Sequence, residues 1–206
     1  MPGYSPYCPW TRGRKNGRWH APDLVRARAL ARASGTAGMA VEFVTVHSDT
    51  TGLAAAPVVA EALRKIGYRP VIRVHPSQER YERRVAEGDW AIAAGDWIAD
   101  YPSPSLFLDY FLACSNYRPE EPTHGTNAGG FCDPRFDRLV ARAATLETTD
   151  PAKAQRIWAA ADRLAVDQAA WVPLVNGASV ELVSERTGHF TLDANSQPLL
   201  DQLWVR

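Results

Sequence analysis

One stretch near the middle of the chain decides the fold prediction, and it reads Trp90-Ala91-Ile92-Ala93-Ala94-Gly95-Asp96-Trp97-Ile98-Ala99-Asp100-Tyr101-Pro102-Ser103-Pro104-Ser105-Leu106-Phe107. The apolar run from Trp90 to Ala94 is short and continuous, as expected of a buried strand. Gly95 ends this strand, and a segment dense in carboxylates and aromatic rings follows. In open α/β sheets, ligands bind at such strand ends. The stretch therefore predicts both an α/β fold and the position of a candidate site.

Two interpretations of the segment after Gly95 are open. In the first, Asp100 pairs with a ligand amine, Trp97 and Tyr101 offer rigid apolar walls with polar tips, and Asp96 is a further candidate carboxylate. In the second, Asp100 caps a helix that begins near Pro104, and the aromatic rings belong to the core. Spacing alone favours the second interpretation.

The residues before this stretch alternate helical and strand patterns. The predicted elements are a helix over 22–35 with Pro22 at its first position and Gly35 as its left-handed cap, a strand over 40–46, a helix over 53–66 with Gly67 as its stop, a strand over 71–74, and a polar helix over 77–87 capped by Ser77. The apolar face of the second helix is assigned to Val58, Val59, Ala62, Leu63 and Ile66. This alternation predicts a mainly parallel sheet flanked by helices.

The second half of the chain is more helical. Asp133-Pro134 and Asp150-Pro151 each combine an N-cap with a first-position proline, and apolar residues at helical spacing follow both. We expect these two amphipathic helices to pack on the sheet. Residues 171–175 indicate a short edge strand because they contain Pro173, and residues 180–183 and 199–205 are further apolar segments.

The composition limits the class of protein. The chain has 206 residues, 46% hydrophobic and 22% charged, so it is expected to bury one sizeable core or two small ones. Lysine plus arginine and aspartate plus glutamate each total 23, which argues against a nucleic-acid partner. No apolar run reaches the roughly 18–20 residues that span a bilayer, and the first residues lack an export-signal pattern. These features predict a soluble chain.

The three cysteines are Cys8, Cys114 and Cys132, and their spacing is not that of a zinc site. Cys114 and Cys132 flank residues 115–131, a polar loop rich in glycine and proline whose closure entropy a disulfide would reduce. We hypothesise this bridge, which implies an oxidising compartment. The alternative is two free, buried thiols. Cys8 is then the odd cysteine, either free or paired outside the chain.

The sequence lacks the motifs of the common hydrolases and NTPases. Residues 124–130 could hold an anion through backbone amides, but a flexible loop is the favoured interpretation. The five histidines are dispersed, so we expect no metal site and no cofactor. An enzyme that uses Asp96, Asp100 and Asp109 as acid–base or metal carboxylates is a weaker hypothesis because no nucleophile or base partner is evident.

The order of these features resembles a known family. The residues that carry the resemblance are Trp97, Ala99, Asp100, Tyr101, Pro104 and Phe107, supported by the helix start at 131–137, the helix end at 167–174, Pro2-Gly3-Tyr4 and residues 21–24. Together they are similar to the family 5 extracellular solute-binding proteins of ABC transporters, which are dipeptide, oligopeptide and nickel receptors. The resemblance covers essentially the whole chain.

The resemblance implies the fold of one lobe of a type II periplasmic binding protein. Residues 1–21 would be an extended linker and residues 22–206 the C-terminal lobe, with the N-terminal lobe absent. Asp100 would pair with the amino terminus of a peptide or similar small solute, which closure delivers to membrane permease subunits. The implied location is extracytoplasmic, and no enzymatic activity is implied.

The chain departs from the family in length, since members are more than twice as long. A one-walled site leaves a ligand mostly hydrated, so we do not expect tight binding by this chain alone. Apolar surface that faces the absent lobe, including Trp10, Trp19 and Trp204, is expected to be exposed. The alternatives are a ligand-sensing lobe of a regulatory fusion and a non-functional fragment.

Overall fold

The computed structural model describes residues 10–12, 20–88, 90–121, 125–175, 177, 180–193 and 197–206. Predictions for Pro2-Gly3-Tyr4, Cys8, Trp19 and His124 fall outside these residues, as does most of the predicted linker over 1–21. Among the described helices, none is long and apolar enough to cross a membrane.

A three-stranded parallel sheet forms from the first half of the chain. The central strand β1 (Ala40–Val46) lies between β2 (Arg69–His75) and β3 (Ile92–Ala93). Helix α1 (Leu24–Ala33) precedes the sheet, α2 (Thr50–Ile66) joins β1 to β2, and α3 (Gln78–Ala86) joins β2 to β3. The predicted α/β class with a parallel sheet is confirmed. The third strand is shorter than predicted, because only Ile92 and Ala93 of the apolar run pair with β1.

Two predicted helix ends are confirmed, one by a side-chain cap and one by a glycine. Ser77 accepts the backbone N–H of Arg80 at the start of α3, and Gly67 ends α2 with φ of 105°. The prediction for Pro22 was wrong, because α1 begins at Leu24 and Asp23 is its cap, accepting the backbone N–H of Arg26 at 3.0 Å. Asp23 offers a side-chain acceptor at the N-cap, whereas Ala21, the residue before Pro22, offers none.

The predicted buried face of α2 is confirmed in part, because Leu63 is buried and Val59 and Ile66 are partly buried. Ala56, Ala60 and Leu63 are buried, whereas Val58 is 69% exposed. The small alanines allow the helix backbone to approach the sheet closely, where Phe43 and Ala94 complete a compact core with partly buried Val59 and Ile92. A prediction that ranks residues by hydrophobicity includes Val58 and leaves out the small residues Ala56 and Ala60.

A second core lies among three helices, α4 (Ser105–Leu112), α5 (Pro134–Leu146) and α6 (Pro151–Asp167). Its buried members are Leu108, Leu112, Phe136, Val140, Ala143, Ala154, Trp158, Ala161 and Ala165. The prediction that the two amphipathic helices pack on the sheet was wrong, because α5 and α6 pack on each other and on α4. Periodicity shows that a helix has one apolar face but not which surface covers that face. The described residues therefore form two separate cores, one on the sheet and one among the helices.

The predicted strand over 171–175 and the apolar segment 180–183 form no regular structure in the described residues. Trp171, Val172, Leu174, Leu182 and their apolar neighbours are exposed. A strand exists only with a partner to pair with, and the described part of the chain places none beside these residues. Near the carboxyl end, β4 (Thr187–Gly188) and β5 (Trp204–Val205) form a short antiparallel ribbon.

Candidate ligand-binding site

The segment that follows β3 leaves the carboxyl end of the parallel sheet and crosses the surface to α4. Trp97 is 49% exposed and Tyr101 is 43% exposed, and Asp96 and Asp100 are also exposed. At the start of α4, the backbone N–H of Ser105 donates to the Ser103 hydroxyl at 3.1 Å. The aromatic rings are therefore not core, and the side-chain contact at the start of α4 involves Ser103 rather than Asp100.

Trp97 and Asp100 are in direct contact. The indole N–H of Trp97 donates to Oδ2 of Asp100 at 3.2 Å. Tyr101 is tied to α4 instead, because its hydroxyl oxygen accepts a hydrogen bond from the Ser105 hydroxyl at 3.2 Å. Two of the four predicted site residues, Trp97 and Asp100, are thus in contact, and half-exposed Tyr101 follows Asp100 directly in the chain. Such a surface can accept a cation at the carboxylate and an apolar group on the rings.

Trp97 belongs to a cluster of aromatic side chains. The Trp97 ring contacts Phe111 edge-on with centroids 5.0 Å apart, and Phe111 also contacts Tyr110 at 4.9 Å and Trp171 at 5.5 Å. Sequence reasoning missed Tyr110, Phe111 and Trp171 as site residues. Phe111 and Tyr110 lie on α4, the helix that the aromatic segment enters, so the helical spacing after Pro104 was the available signal. Nothing local to Trp171 points to this contact.

Asp96 has a different neighbourhood from Asp100. It lies near Tyr81, whose hydroxyl donates to the carbonyl oxygen of Ala94 at the end of β3. Burial, followed by the negative charges of Asp49 and Asp96, raises the pKa of Tyr81 to about 12. Asp49 itself caps α2, accepting the Gly52 N–H at 2.7 Å. The structure therefore connects Asp96 to the sheet end rather than to the Trp97–Asp100 pair.

Asp109, the third carboxylate of the enzyme hypothesis, lies on α4. Burial and then the charge of Asp137 raise its pKa. Asp137 in turn accepts the backbone N–H of Cys114 at 3.2 Å. Among the described residues, Asp96, Asp100 and Asp109 thus have different neighbours, which are Tyr81, Trp97 and Asp137 respectively. Within the described residues, no group of three or more His, Cys, Asp or Glu is placed to hold a metal ion.

The loop next to the site is closed at its base. Cys114 and Cys132 are joined as a disulfide with Cα atoms 4.6 Å apart. Inside the loop, the side-chain amide of buried Asn127 donates to the carbonyl oxygens of Ala113 at 3.1 Å and Phe131 at 2.7 Å. Asn127 therefore has a structural role. It lies within residues 124–130, for which the sequence favoured a loop over an anion-binding site.

The candidate site is an open surface rather than an enclosed pocket. One concave surface of about 550 Å³ lies on α5 beside Arg135, Arg138, Leu139 and Arg142. Another, of about 400 Å³, lies between the end of α3 and the loop around Gly129. The lining of neither includes Trp97 or Asp100. A ligand on these two residues would contact this chain on one side.

Two solved structures show the same fold. The clavulanic acid biosynthesis oligopeptide binding protein 2 superposes with a TM-score of 0.74 at 22% identity, over 90% of this chain and 34% of that one. A dipeptide binding protein from a Pseudoalteromonas species, in complex with Met-Leu, superposes with a TM-score of 0.69 at 22% identity, over 98% of this chain and 39% of that one. Both similarities place the chain in the periplasmic-binding-protein fold.

Sequence relatives extend the comparison. Di/tripeptide-binding protein 4 of Pseudomonas aeruginosa is 27% identical over 84% of this chain. The periplasmic oligopeptide-binding protein OppA of Salmonella typhimurium is 27% identical over 58% of this chain. This chain spans 32% of the first relative and 19% of the second.

The family model for the middle region of the bacterial extracellular solute-binding proteins, family 5, matches residues 2–119, a range that includes the sheet, Trp97, Asp100 and α4. The predicted resemblance is thereby confirmed, and the chain belongs to the family 5 bacterial extracellular solute-binding proteins.

Proposed function

We propose that this chain contributes the C-terminal lobe, over residues 22–206, of a receptor that binds peptides or similar small solutes for an ABC importer. The observation that carries the proposal is the exposed Trp97–Asp100 pair at the carboxyl end of the sheet, inside the region that the family model matches. Asp100 would pair with the amino terminus of the peptide, and Trp97 and Tyr101 would cover its first apolar groups.

The chemistry of the pair supports this role. An ammonium group beside a carboxylate forms a charge-assisted hydrogen bond, which is about twice as strong as one between neutral groups. Large aromatic rings beside the carboxylate remove apolar surface from water without losing much side-chain entropy, because they have only two rotatable bonds. The site therefore suits a small molecule that has an amine next to an apolar side chain, as a peptide has.

A second wall is part of the proposal. A site for a small solute buries most of the ligand surface, but Trp97 and Asp100 offer one open side. The chain spans about a third of the dipeptide-binding relative that it matches over most of its own length. We therefore assign the other wall to a second lobe, supplied by the remainder of a longer receptor or by a separate chain.

The remaining assignments follow from membership of the family. Family members are extracytoplasmic solute-binding proteins. We assign this chain to the same location, where the Cys114–Cys132 disulfide would persist. Its membrane partner would be a permease that accepts the peptide when the lobes close. We propose no catalytic activity, in keeping with the separate surroundings of Asp96, Asp100 and Asp109.

Asp100→Asn tests the proposal directly. The experiment titrates the intact native product with trialanine and with N-acetyl-trialanine, which lacks the amino-terminal charge. A hydrogen bond to a charged group contributes about 1.5–3 kcal/mol, so we expect Asp100→Asn to weaken trialanine binding by roughly 10-fold to 150-fold. Binding of the acetylated peptide should change little.

Asp201→Asn is the matched control, because Asp201 is an exposed aspartate near the carboxyl end of the chain. It should leave both affinities unchanged. If trialanine binds equally well to the wild type and to Asp100→Asn, the pairing of Asp100 with a ligand amine is refuted.

A further inference from the structure

We propose that Trp97 is a positioning residue, which holds the Asp100 carboxylate in the orientation that receives the ligand amine. This inference rests on the proposed function, and it assigns Trp97 a role beyond that of an apolar wall. Its starting point is the hydrogen bond of 3.2 Å from the indole N–H of Trp97 to Oδ2 of Asp100.

The hydrogen bond matters because Asp100 lies in an irregular, exposed segment. An exposed aspartate samples several rotamers, and water competes for its oxygens. A donor fixed at Oδ2 selects one orientation of the carboxylate. The indole N–H occupies one acceptor position of a carboxylate that has about four lone-pair sites when ionised. Preorganisation of this kind improves affinity by reducing the ordering that binding requires.

Trp97 can position Asp100 only if its own ring is held. Phe111 contacts the ring edge-on at 5.0 Å, and Trp171 contacts the same phenylalanine at 5.5 Å. Phe111 lies on α4, which Leu108 and Leu112 anchor in the helical core. A continuous set of packed side chains therefore leads from that core through Phe111 and Trp97 to Asp100.

A residue that only covers the ligand, which we call a wall, and a residue that positions Asp100 depend on different parts of the tryptophan side chain. A wall uses the ring surface, which phenylalanine also offers, whereas positioning uses the indole N–H, which phenylalanine lacks. Trp97→Phe keeps an aromatic ring beside Phe111 and removes the donor. The matched control is Trp204→Phe in the β4–β5 ribbon, since Trp204 is 48% exposed and Trp97 is 49% exposed.

The first measurement needs no ligand. The chain has seven tryptophans, so a ¹⁵N spectrum of the labelled protein contains seven indole N–H signals, and the signal of Trp97 is assigned by its loss in Trp97→Phe. We expect Asp100→Ala to move the Trp97 signal and to accelerate its exchange with solvent, while Asp201→Ala leaves it in place. An unmoved Trp97 signal in Asp100→Ala would overturn the inference at its structural basis.

The second measurement compares the affinities of the intact native product for trialanine and N-acetyl-trialanine. We expect Trp97→Phe to reduce the preference for the free amine by about threefold to tenfold, less than Asp100→Asn does because the indole acts on the ligand only through the carboxylate, and to leave the affinity for the acetylated peptide nearly unchanged. Phe111→Leu keeps the donor but loosens its support, and should reduce the preference less. Trp204→Phe should not change it.

The outcomes separate this inference from the proposed function. If the wild type prefers the free amine and Asp100→Asn abolishes that preference while Trp97→Phe retains it in full, Trp97 is only a wall and the inference is wrong. If both variants weaken binding of the two peptides equally, Trp97 has a general structural role and the inference is again wrong. If the wild type shows no preference, the pairing of Asp100 with an amine fails, and the role of Trp97 fails with it.

Discussion

Asp133, Asp109 and Asp100 are three carboxylates of the same chain with three kinds of neighbours. Asp133 is buried between Arg135 and Gln168 and begins α5. Asp109 is partly desolvated beside another carboxylate, whereas Asp100 is exposed beside an indole donor. Burial and donors, rather than residue type, therefore separate a structural aspartate from a candidate binding one.

The buried Asp133 gives a prediction about acid stability. Hydrogen bonds from the Arg135 side chain, then from Gln168 and the Arg135 backbone, hold the pKa of Asp133 well below its usual range. Because the folded pKa is the lower one, the unfolded chain binds the proton more readily, and stability falls as pH falls. The contribution is present above the unfolded value of about 3.9 and is lost progressively below it.

Asp133→Asn isolates this effect, because asparagine also caps a helix. We expect the wild type to be more stable than the variant at neutral pH, and the difference to shrink as the pH falls below about 4. Urea unfolding at a series of pH values measures both curves. A difference that stays constant across that range would show that the ionised form of Asp133 is not what stabilises the fold.

At the scale of elements, the base of the 115–131 loop is stabilised twice. The Cys114–Cys132 disulfide closes the loop, and the Asn127 side chain donates hydrogen bonds to the carbonyl oxygens of Ala113 and Phe131 at the two ends of the loop. The N-cap of α5 adjoins the same region, since Asp133 follows Cys132 directly. The loop therefore fixes α4 and α5 relative to each other next to the candidate site.

Replacing both cysteines by serine tests the contribution of the disulfide. The bridge spans 18 residues of sequence, and closing a loop of about 15 residues stabilises a protein by about 3 kcal/mol in the chain-entropy account. We expect the Cys114→Ser, Cys132→Ser variant to lose stability of that order in urea unfolding. Thiol titration of the unfolded, unreduced wild type should find one free cysteine or none. Three free thiols would contradict the bridge.

Helix starts were predictable from the sequence because their chemistry is local. Asp133-Pro134 and Asp150-Pro151 begin α5 and α6 as expected, since the cap and the helix that it serves are adjacent. What each element packs against was not predictable in the same way. The contact of α5 with α6, and the lack of a strand over 171–175, depend on which surfaces meet, and periodicity does not encode that.

The candidate site likewise has one part that the sequence predicted and another that it did not. Trp97, Asp100 and Tyr101 lie within five residues of one another, so the sequence alone indicated them as a group. Phe111 and Trp171 join the site through tertiary contacts, and Trp171 comes from beyond α6. The hydrogen bond between Trp97 and Asp100 also required the structure, because the same spacing fits a helix cap as well as a binding pair.

For the whole molecule, the lobe that we propose would form one side of a binding site. Trp97, Tyr101 and apolar residues of 171–175 and 180–183 are exposed, and the chain spans 32% of its relative from Pseudomonas aeruginosa. A second lobe would cover the open side of the candidate site. Pairing of residues 171–175 with a strand of that lobe would also explain why their β-rich sequence forms no strand among the described residues.

The central claim is that this chain serves as one lobe of a peptide receptor, and native mass spectrometry of the gene product from its natural source, mixed with a saturating free-amine tripeptide, tests it most directly. We predict a species that contains residues 22–206 in a mass well above 22.7 kDa, the mass of this chain alone, and that carries one peptide. A 22.7 kDa species with no partner, or a larger species that carries no peptide, would contradict the claim.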